Sequence, residues 1–109
     1  MKRGAIWPAA GGSGYGGKPR PVVIVQDERF DSAASISVVP LTTTLVDAPL
    51  FRILVEPSEG NGLRAVSHMM ADKITTVPGS KLREPVGQLD ADDLRHLDGA
   101  LVVFLGLAG

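Results

Sequence analysis

Gly16-Gly17-Lys18-Pro19-Arg20-Pro21-Val22-Val23-Ile24-Val25-Gln26 is the stretch on which the reading of this chain turns. Val22 to Val25 is β-branched throughout, which suits a central strand and suits a helix poorly. Pro19 and Pro21 each confine the residue before them to extended backbone, so Arg20 rides on a stiff segment at the mouth of that strand. A guanidinium presented this rigidly is fitted to hold an anion. The same residues also read as an ordinary buried strand preceded by a solvated arginine.

Working outward, Lys2 to Trp7 reads as a first strand, and Pro8 to Lys18 as a Gly/Ser-rich loop whose single aromatic is Tyr15. Val22 to Gln26 is the second strand and Ser35 to Thr42 the third, with Ile36, Val38 and Pro40 on one face and Ser37, Val39 and Leu41 on the other. Pro40 has no amide hydrogen and is expected to mark a strand end or a bulge. Leu50 to Glu56 forms a fourth strand, closed by Pro57 and the turn formers Ser58 to Gly62. Ala65 to Ala71 and Asp72 to Thr76 continue in extended structure, Lys81-Leu82 makes a short helical turn, and Val86 to Gln88 a last short strand. The end of the chain is helical. Asp90 is the N-cap with Asp93 three residues on, Leu89 and Leu94 can staple the first turn, and Gly106 stops the helix. Leu94, Leu97, Leu101, Phe104 and Leu105 form its apolar stripe, which Val102 and Val103 widen, a breadth that fits deep burial or contact with another subunit. Strands followed by one helix predict a mainly β protein, a small curled antiparallel sheet or barrel with the helix packed against it, and a single domain over residues 1–109.

The chain has 109 residues, no cysteine and a net charge of −1. Disulfides, a thiol nucleophile and a cysteine zinc site are thereby excluded. No run approaches the roughly 20 apolar residues of a membrane span, and the basic start carries no apolar core of signal-peptide length, so a soluble cytoplasmic protein is expected. A chain that is not a polycation must bind nucleic acid through a local patch, for which Arg3, Lys18, Arg20, Arg52, Arg64, Lys73, Lys81 and Arg83 are available.

Few residues offer chemistry. Thr42, Thr43 and Thr44 cluster hydroxyls at the end of the third strand, where they can donate to a phosphate oxygen or serve ordinary strand-end hydrogen bonding. His68 lies in an apolar β-like run and reads more readily as a packed residue than as a base, and His96 sits on the helix beside Arg95. Two histidines without paired carboxylates make no convincing metal site. Ser67 lacks the Gly-x-Ser-x-Gly setting of a hydrolase nucleophile, and the glycines of residues 11–17 do not form a Walker loop.

Taken together, the segments resemble the MazF/PemK family of toxin endoribonucleases. Lys2-Arg3-Gly4-Ala5-Ile6-Trp7 is similar to the family's opening Lys-Arg-Gly-Asp-Ile-Trp, and residues 16–26 to its Gly-Gly-x-Arg-Pro-Val-x-Val-x-Gln block. Val38 to Thr42, Ser67 to Ile74 and Val86 to Leu89 with the capped helix resemble its third strand, its Ser-Val-x-x-x-Asp/Glu-Gln-Ile segment and its C-terminal Ile-Gly-x-Leu-helix. The resemblance implies an SH3-like curled β-barrel of the MazF/CcdB kind, working as a homodimer. It implies cleavage of single-stranded RNA without a metal or other cofactor, leaving a 2′,3′-cyclic phosphate and a 5′-OH, and inhibition by a cognate antitoxin. The family's catalytic arginine falls on Arg20 and its catalytic threonine on Thr42. Tyr15, Lys18, Thr43, Asp72 and Lys73 are candidate RNA contacts. Ala5 replaces the usual acidic residue, the first loop is short, Pro19 adds a residue before Arg20, Lys73 stands where glutamine is common, and His68 replaces an apolar residue. Two alternatives are a CcdB-like poison of DNA gyrase, although its Trp-Gly-Ile ending is absent, and a barrel that binds without catalysis.

Overall fold

The computed structural model describes residues 1–10 and 19–108. Seven strands run β1 (Ala5–Ala9), β2 (Arg20–Ile24), β3 (Ser35–Thr42), β4 (Arg52–Val55), β5 (Ser67–Met70), β6 (Thr75–Pro78) and β7 (Gly87–Gln88), followed by helix α1 (Ala91–Phe104). Their order across the sheet is β4-β5-β3-β2-β1-β7, with β6 also pairing β3, and every registered pair is antiparallel.

The unbroken apolar run of β2 has a direct cause: both faces of the sheet are covered. Val22 and Ile24 join a cluster with Ala5, Ala9, Ile36, Val38 and Leu82. Val23 joins the other cluster, with Ile6, Val39, Leu41, Met69 and the helix residues Leu97, Ala100 and Leu101. One face is thus closed by α1 and the other by the chain itself as the sheet curls.

Pro40 lies inside β3, against the expectation of a strand end or bulge. β3 pairs β6 through Ser35 to Val38 and β5 through Leu41 and Thr42. Pro40 sits at the handover between these two neighbours, where a missing amide leaves no ladder bond unmade. The first strand also differs. Lys2 to Gly4 form a turn, with Ala5 N donating to Lys2 O and Gly4 at φ 89°, and the strand then continues through Pro8 to Ala9. Val86 N bonds Ile6 O and Ala10 N bonds Lys81 O, so Pro8 falls between those two contacts on the same flank. Asp72 and Lys73, read as extended, lie in a single helical turn, Ala71–Lys73, before β6.

Helix α1 is capped as its sequence indicates. Asp93 N donates to Asp90 Oδ1 at 2.8 Å. At the far end Leu107 N bonds Val102 O and Gly106 N bonds Val103 O, a Schellman closure that needs the positive φ of Gly106 (74°). Leu97, Ala100 and Leu101 are buried, whereas Phe104 and Leu105 stay half exposed, with the Phe104 ring against Phe51. Arg3 ties the start of the chain to this helix, its guanidinium donating to both Asp98 oxygens (2.6 and 3.0 Å) and to Val25 O. Asn61, almost fully buried, accepts from the amides of Ser58 and Leu63 and donates to Glu56 O, which accounts for the compact turn after β4. Among the described residues no helix is long and apolar enough to cross a membrane.

Candidate active site

The two residues singled out for chemistry come from different strands, and the sheet register brings them together. β2 pairs β3 as Val22↔Pro40, Val23↔Val39 and Ile24↔Val38. Continuing that count by two residues sets Arg20, the first residue of β2, opposite Thr42, the last of β3. Residues directly opposite in an antiparallel pair have Cα atoms about 4.5–5.5 Å apart and project to the same face. Alternation aligns both with Val22, Ile24 and Val38, on the face away from α1.

A shallow pocket of about 50 Å³ is lined by Arg20, Pro21, Leu41, Thr42, Thr43 and Ser67. Arg20 and Thr43 are exposed, Thr42 is half-buried and Ser67 is buried. Thr42 Oγ1 accepts from Thr44 N at 3.1 Å, which orients the hydroxyl and leaves its own proton to donate elsewhere. Ser67 Oγ donates to Ala65 O at 3.0 Å, so its lone pairs are what it offers to the pocket. In sequence Ser67 carries no nucleophile motif to mark it. Its place at the pocket follows from the pairing of β3 with β5, a long-range contact that no local signal reports.

His68 is buried, as its apolar surroundings predict, yet it is the register partner of Thr42 on β5. Its Nδ1 faces the Val46 amide at 3.5 Å, on the segment that follows Thr42. A larger hollow of about 620 Å³ lies on its other side, between residues 46–50, β4 and α1, with mostly apolar walls that include Leu50, Leu54, Ala100 and Val103. It holds an arginine, Arg52, but that guanidinium is bound to Asp72, and no hydroxyl side chain lines the hollow.

The remaining candidates fall elsewhere. Tyr15 and Lys18 lie outside the described residues. Asp72 and Lys73 follow the far end of β5 from Ser67, so the structure does not place them in the Arg20 pocket. Asp72 accepts from Arg52 Nε at 2.8 Å and Nη2 at 3.1 Å, and that hydrogen-bonded pairing holds the Asp72 carboxyl below its ordinary range and raises Arg52. Lys73 is exposed. On the helix, burial and the neighbouring Asp90 carboxylate push Asp93 up. Among the described residues no group of three or more histidine, aspartate or glutamate side chains converges as a metal site would require.

Comparison with known proteins identifies the family. Residues 2–105 match the family described as the PemK-like, MazF-like toxin of type II toxin-antitoxin systems. The chain is 55% identical over 109 residues to a probable endoribonuclease MazF of Mycolicibacterium smegmatis (strain ATCC 700084 / mc(2)155), covering 100% of both. It is 30% identical to endoribonuclease MazF9 of Mycobacterium tuberculosis (strain ATCC 25618 / H37Rv), covering 98% of each. Among solved structures, Mycobacterium tuberculosis toxin MazF-mt6 superposes with a TM-score of 0.78 at 26% identity, over 94% of this chain and 96% of that one. A mycobacterial endoribonuclease in complex with its cognate antitoxin gives 0.77 at 26% identity, over 98% and 96%. These relatives do not favour the gyrase-poisoning alternative. The curled antiparallel sheet, the C-terminal helix and the match over nearly the whole length establish that this chain belongs to the PemK/MazF family of type II toxins.

Proposed function

We propose that this protein is a metal-independent, sequence-selective endoribonuclease that cleaves single-stranded RNA with Arg20 and Thr42. The observation that carries the reading is the cross-strand placement of Arg20 beside Thr42 at one pocket, in a chain with endoribonuclease relatives. In the reaction the ribose 2′-oxygen attacks the adjacent phosphorus and the P–O5′ bond breaks. The 2′-OH proton is lost and O5′ gains one, leaving a 2′,3′-cyclic phosphate and a 5′-OH. Negative charge grows on the phosphorane oxygens, and fixed donors aimed there lower the barrier. A guanidinium supplies a planar pair of donors and stays charged, which makes it a stabiliser of that charge and a poor base. Thr42, its hydroxyl oriented by the Thr44 amide, donates to a non-bridging oxygen or positions the 2′-OH.

Thr43, which lines the pocket, is proposed as an RNA contact close to the scissile phosphate, Lys73 as an outer one, and Lys18 and Tyr15 as further RNA contacts. Asp72, both of whose oxygens accept from Arg52, acts mainly by holding the turn that carries Lys73. The protein is proposed to act in the cytoplasm as a homodimer inhibited by a cognate antitoxin. Val102, Val103, Leu105 and Leu107 give α1 and its end an exposed apolar surface of the kind that associates.

The test is incubation of purified protein with a long defined RNA in EDTA, beside Arg20→Ala and Thr42→Val, followed by mapping of the new 5′ ends. Discrete cuts with 5′-OH ends, lost in both variants, are expected. RNA left intact by the unaltered protein, across varied sequences, refutes the reading.

A further inference from the structure

Four strands carry one residue each in a row across the sheet. The count that sets Arg20 opposite Thr42 continues through the registered pairs Thr42↔His68 and Leu54↔His68, so Arg20, Thr42, His68 and Leu54 stand side by side on β2, β3, β5 and β4. Directly paired residues project to the same face. Neighbouring strands lie about 4.8 Å apart, so the His68 backbone is one strand spacing from that of Thr42, and Leu54 is two, roughly 10 Å.

His68 is the polar member of this row whose role the reaction leaves open. It is 8% exposed, and its Nδ1 faces the Val46 amide at 3.5 Å. A ring nitrogen facing an N–H is an acceptor, which puts the proton of the neutral ring on Nε2. Nε2 makes no hydrogen bond among the described residues, yet it is not sealed in: the buried side-chain atoms without a partner there are Trp7 Nε1 and Asp31 Oδ1. It therefore opens on space, and the cavity that His68 lines is the hollow of about 620 Å³. Leu54, the next residue of the row, lines the same hollow. A fixed donor among mostly apolar walls, one strand spacing from Thr42, is the make-up of a pocket for a flat ring with acceptors on its edge.

We propose that this hollow takes the base of a nucleotide flanking the scissile phosphate, with His68 Nε2 donating to an acceptor on the base's edge, so that His68 is a specificity-determining residue. This rests on the ribonuclease reading above and adds to it the place where one base is read. Bases of single-stranded RNA can be splayed out of the stack and recognised at their edges. Each base carries its acceptors in different positions, so one immobile donor tells them apart. The His68 end of the hollow is the part assigned to the base; Val103, on the helix wall, belongs to the dimer contact proposed above.

The experiment starts from one mapped cut site and places each of the four bases in turn at the two positions flanking the cut. The readout at each position is the ratio of the best to the worst kcat/KM. At one of them His68→Val is expected to lower that ratio about tenfold, the worth of one directed hydrogen bond. The other position should stay within about twofold. His68→Gln, whose Nε2 offers a donor at similar reach, should hold the ratio within about threefold of the unaltered protein. Circular dichroism establishes that each variant folds. Leu54→Trp, at a position 48% exposed, fills the hollow without touching the core and should raise KM about tenfold, at unchanged oligomer size by light scattering. Equal ratios for the unaltered protein and folded His68→Val overturn the proposal. So does a loss in His68→Gln equal to that in His68→Val, since the donor is what reads the base. A Leu54→Trp variant with unchanged KM overturns it as well, and loss of the dimer in that variant would give the hollow to a second copy of the chain. No base preference at either position in the unaltered protein overturns this inference and leaves the ribonuclease reading standing. Failure of the unaltered protein to cut RNA of any sequence overturns that reading, and this inference with it.

Discussion

Replacing Arg20 by alanine is the perturbation that tests the site most directly, and the structure bounds its size. Arg20 begins β2 at an exposed strand end, so its charge acts through a medium nearer to a protein surface than to an interior. At about 4 Å and an effective dielectric of about 20, a unit charge pair is worth about 4 kcal/mol. Divided by about 1.36 kcal/mol per decade, that is close to a thousandfold in rate. In the proposed reaction the charge it opposes grows only as the phosphorane forms, so the loss should fall on kcat and kcat/KM alike. Arg20→Lys keeps the charge without the two-pronged geometry and should lose about 10- to 100-fold, between the two extremes. The assay is single-turnover cleavage of a short fluorogenic RNA containing the mapped site, with circular dichroism to establish that each variant folds. Because the Arg20 side chain is solvent-exposed, neither change should unfold the protein. A folded Arg20→Ala variant within tenfold of the unaltered rate would refute the placement of the reaction at this pocket.

Three further predictions concern what holds the site in place. The Arg52–Asp72 pair is mostly buried, 14% and 19% exposed, and Asp72→Asn should cost about 1–2 kcal/mol in urea unfolding at pH 7. The folded state holds Asp72 below its ordinary 3.8, so this contribution is present above that pH and disappears as pH falls through the lower folded value; a gap between variant and parent that is the same at pH 3 and pH 7 would be evidence against it. Leu97 is fully buried where α1 meets the sheet, and Leu97→Ala should destabilise by about 2–4 kcal/mol, whereas a loss under 1 kcal/mol by the same measurement would contradict this packing. Val103 is 54% exposed on the same helix, and Val103→Asp should convert a dimer to a monomer by light scattering at micromolar concentration; an unaltered protein that is already monomeric removes the dimer proposal.

Much of the architecture was legible in the chain because its determinants are local. The boundaries of β3, the Asp90 cap and the Gly106 stop depend on backbone preferences and bonds a few residues apart, and each is found where the residues place it. Strand ends were less legible. β1 runs on through Pro8 because that flank of the strand has no bond to make at the proline, a condition set by β7 and Lys81 from far along the chain. Phe104 continues the helical stripe in sequence, yet it lies past the sheet that covers Leu97 and Leu101 and so stays half exposed.

The site divides in the same way. By itself the sequence determined that a rigidly held arginine precedes a buried strand, that hydroxyls gather at the end of another, and, through the order of its segments, which family the chain resembles. Only the tertiary structure decided that Arg20 and Thr42 share one face and one pocket, that Ser67 lines it, and that Asp72 is held by Arg52 instead. The reason is that strand register is fixed by burial of both faces of the sheet at once, a condition summed over residues distant in the chain, and a shift of one residue would turn Arg20 to the opposite face.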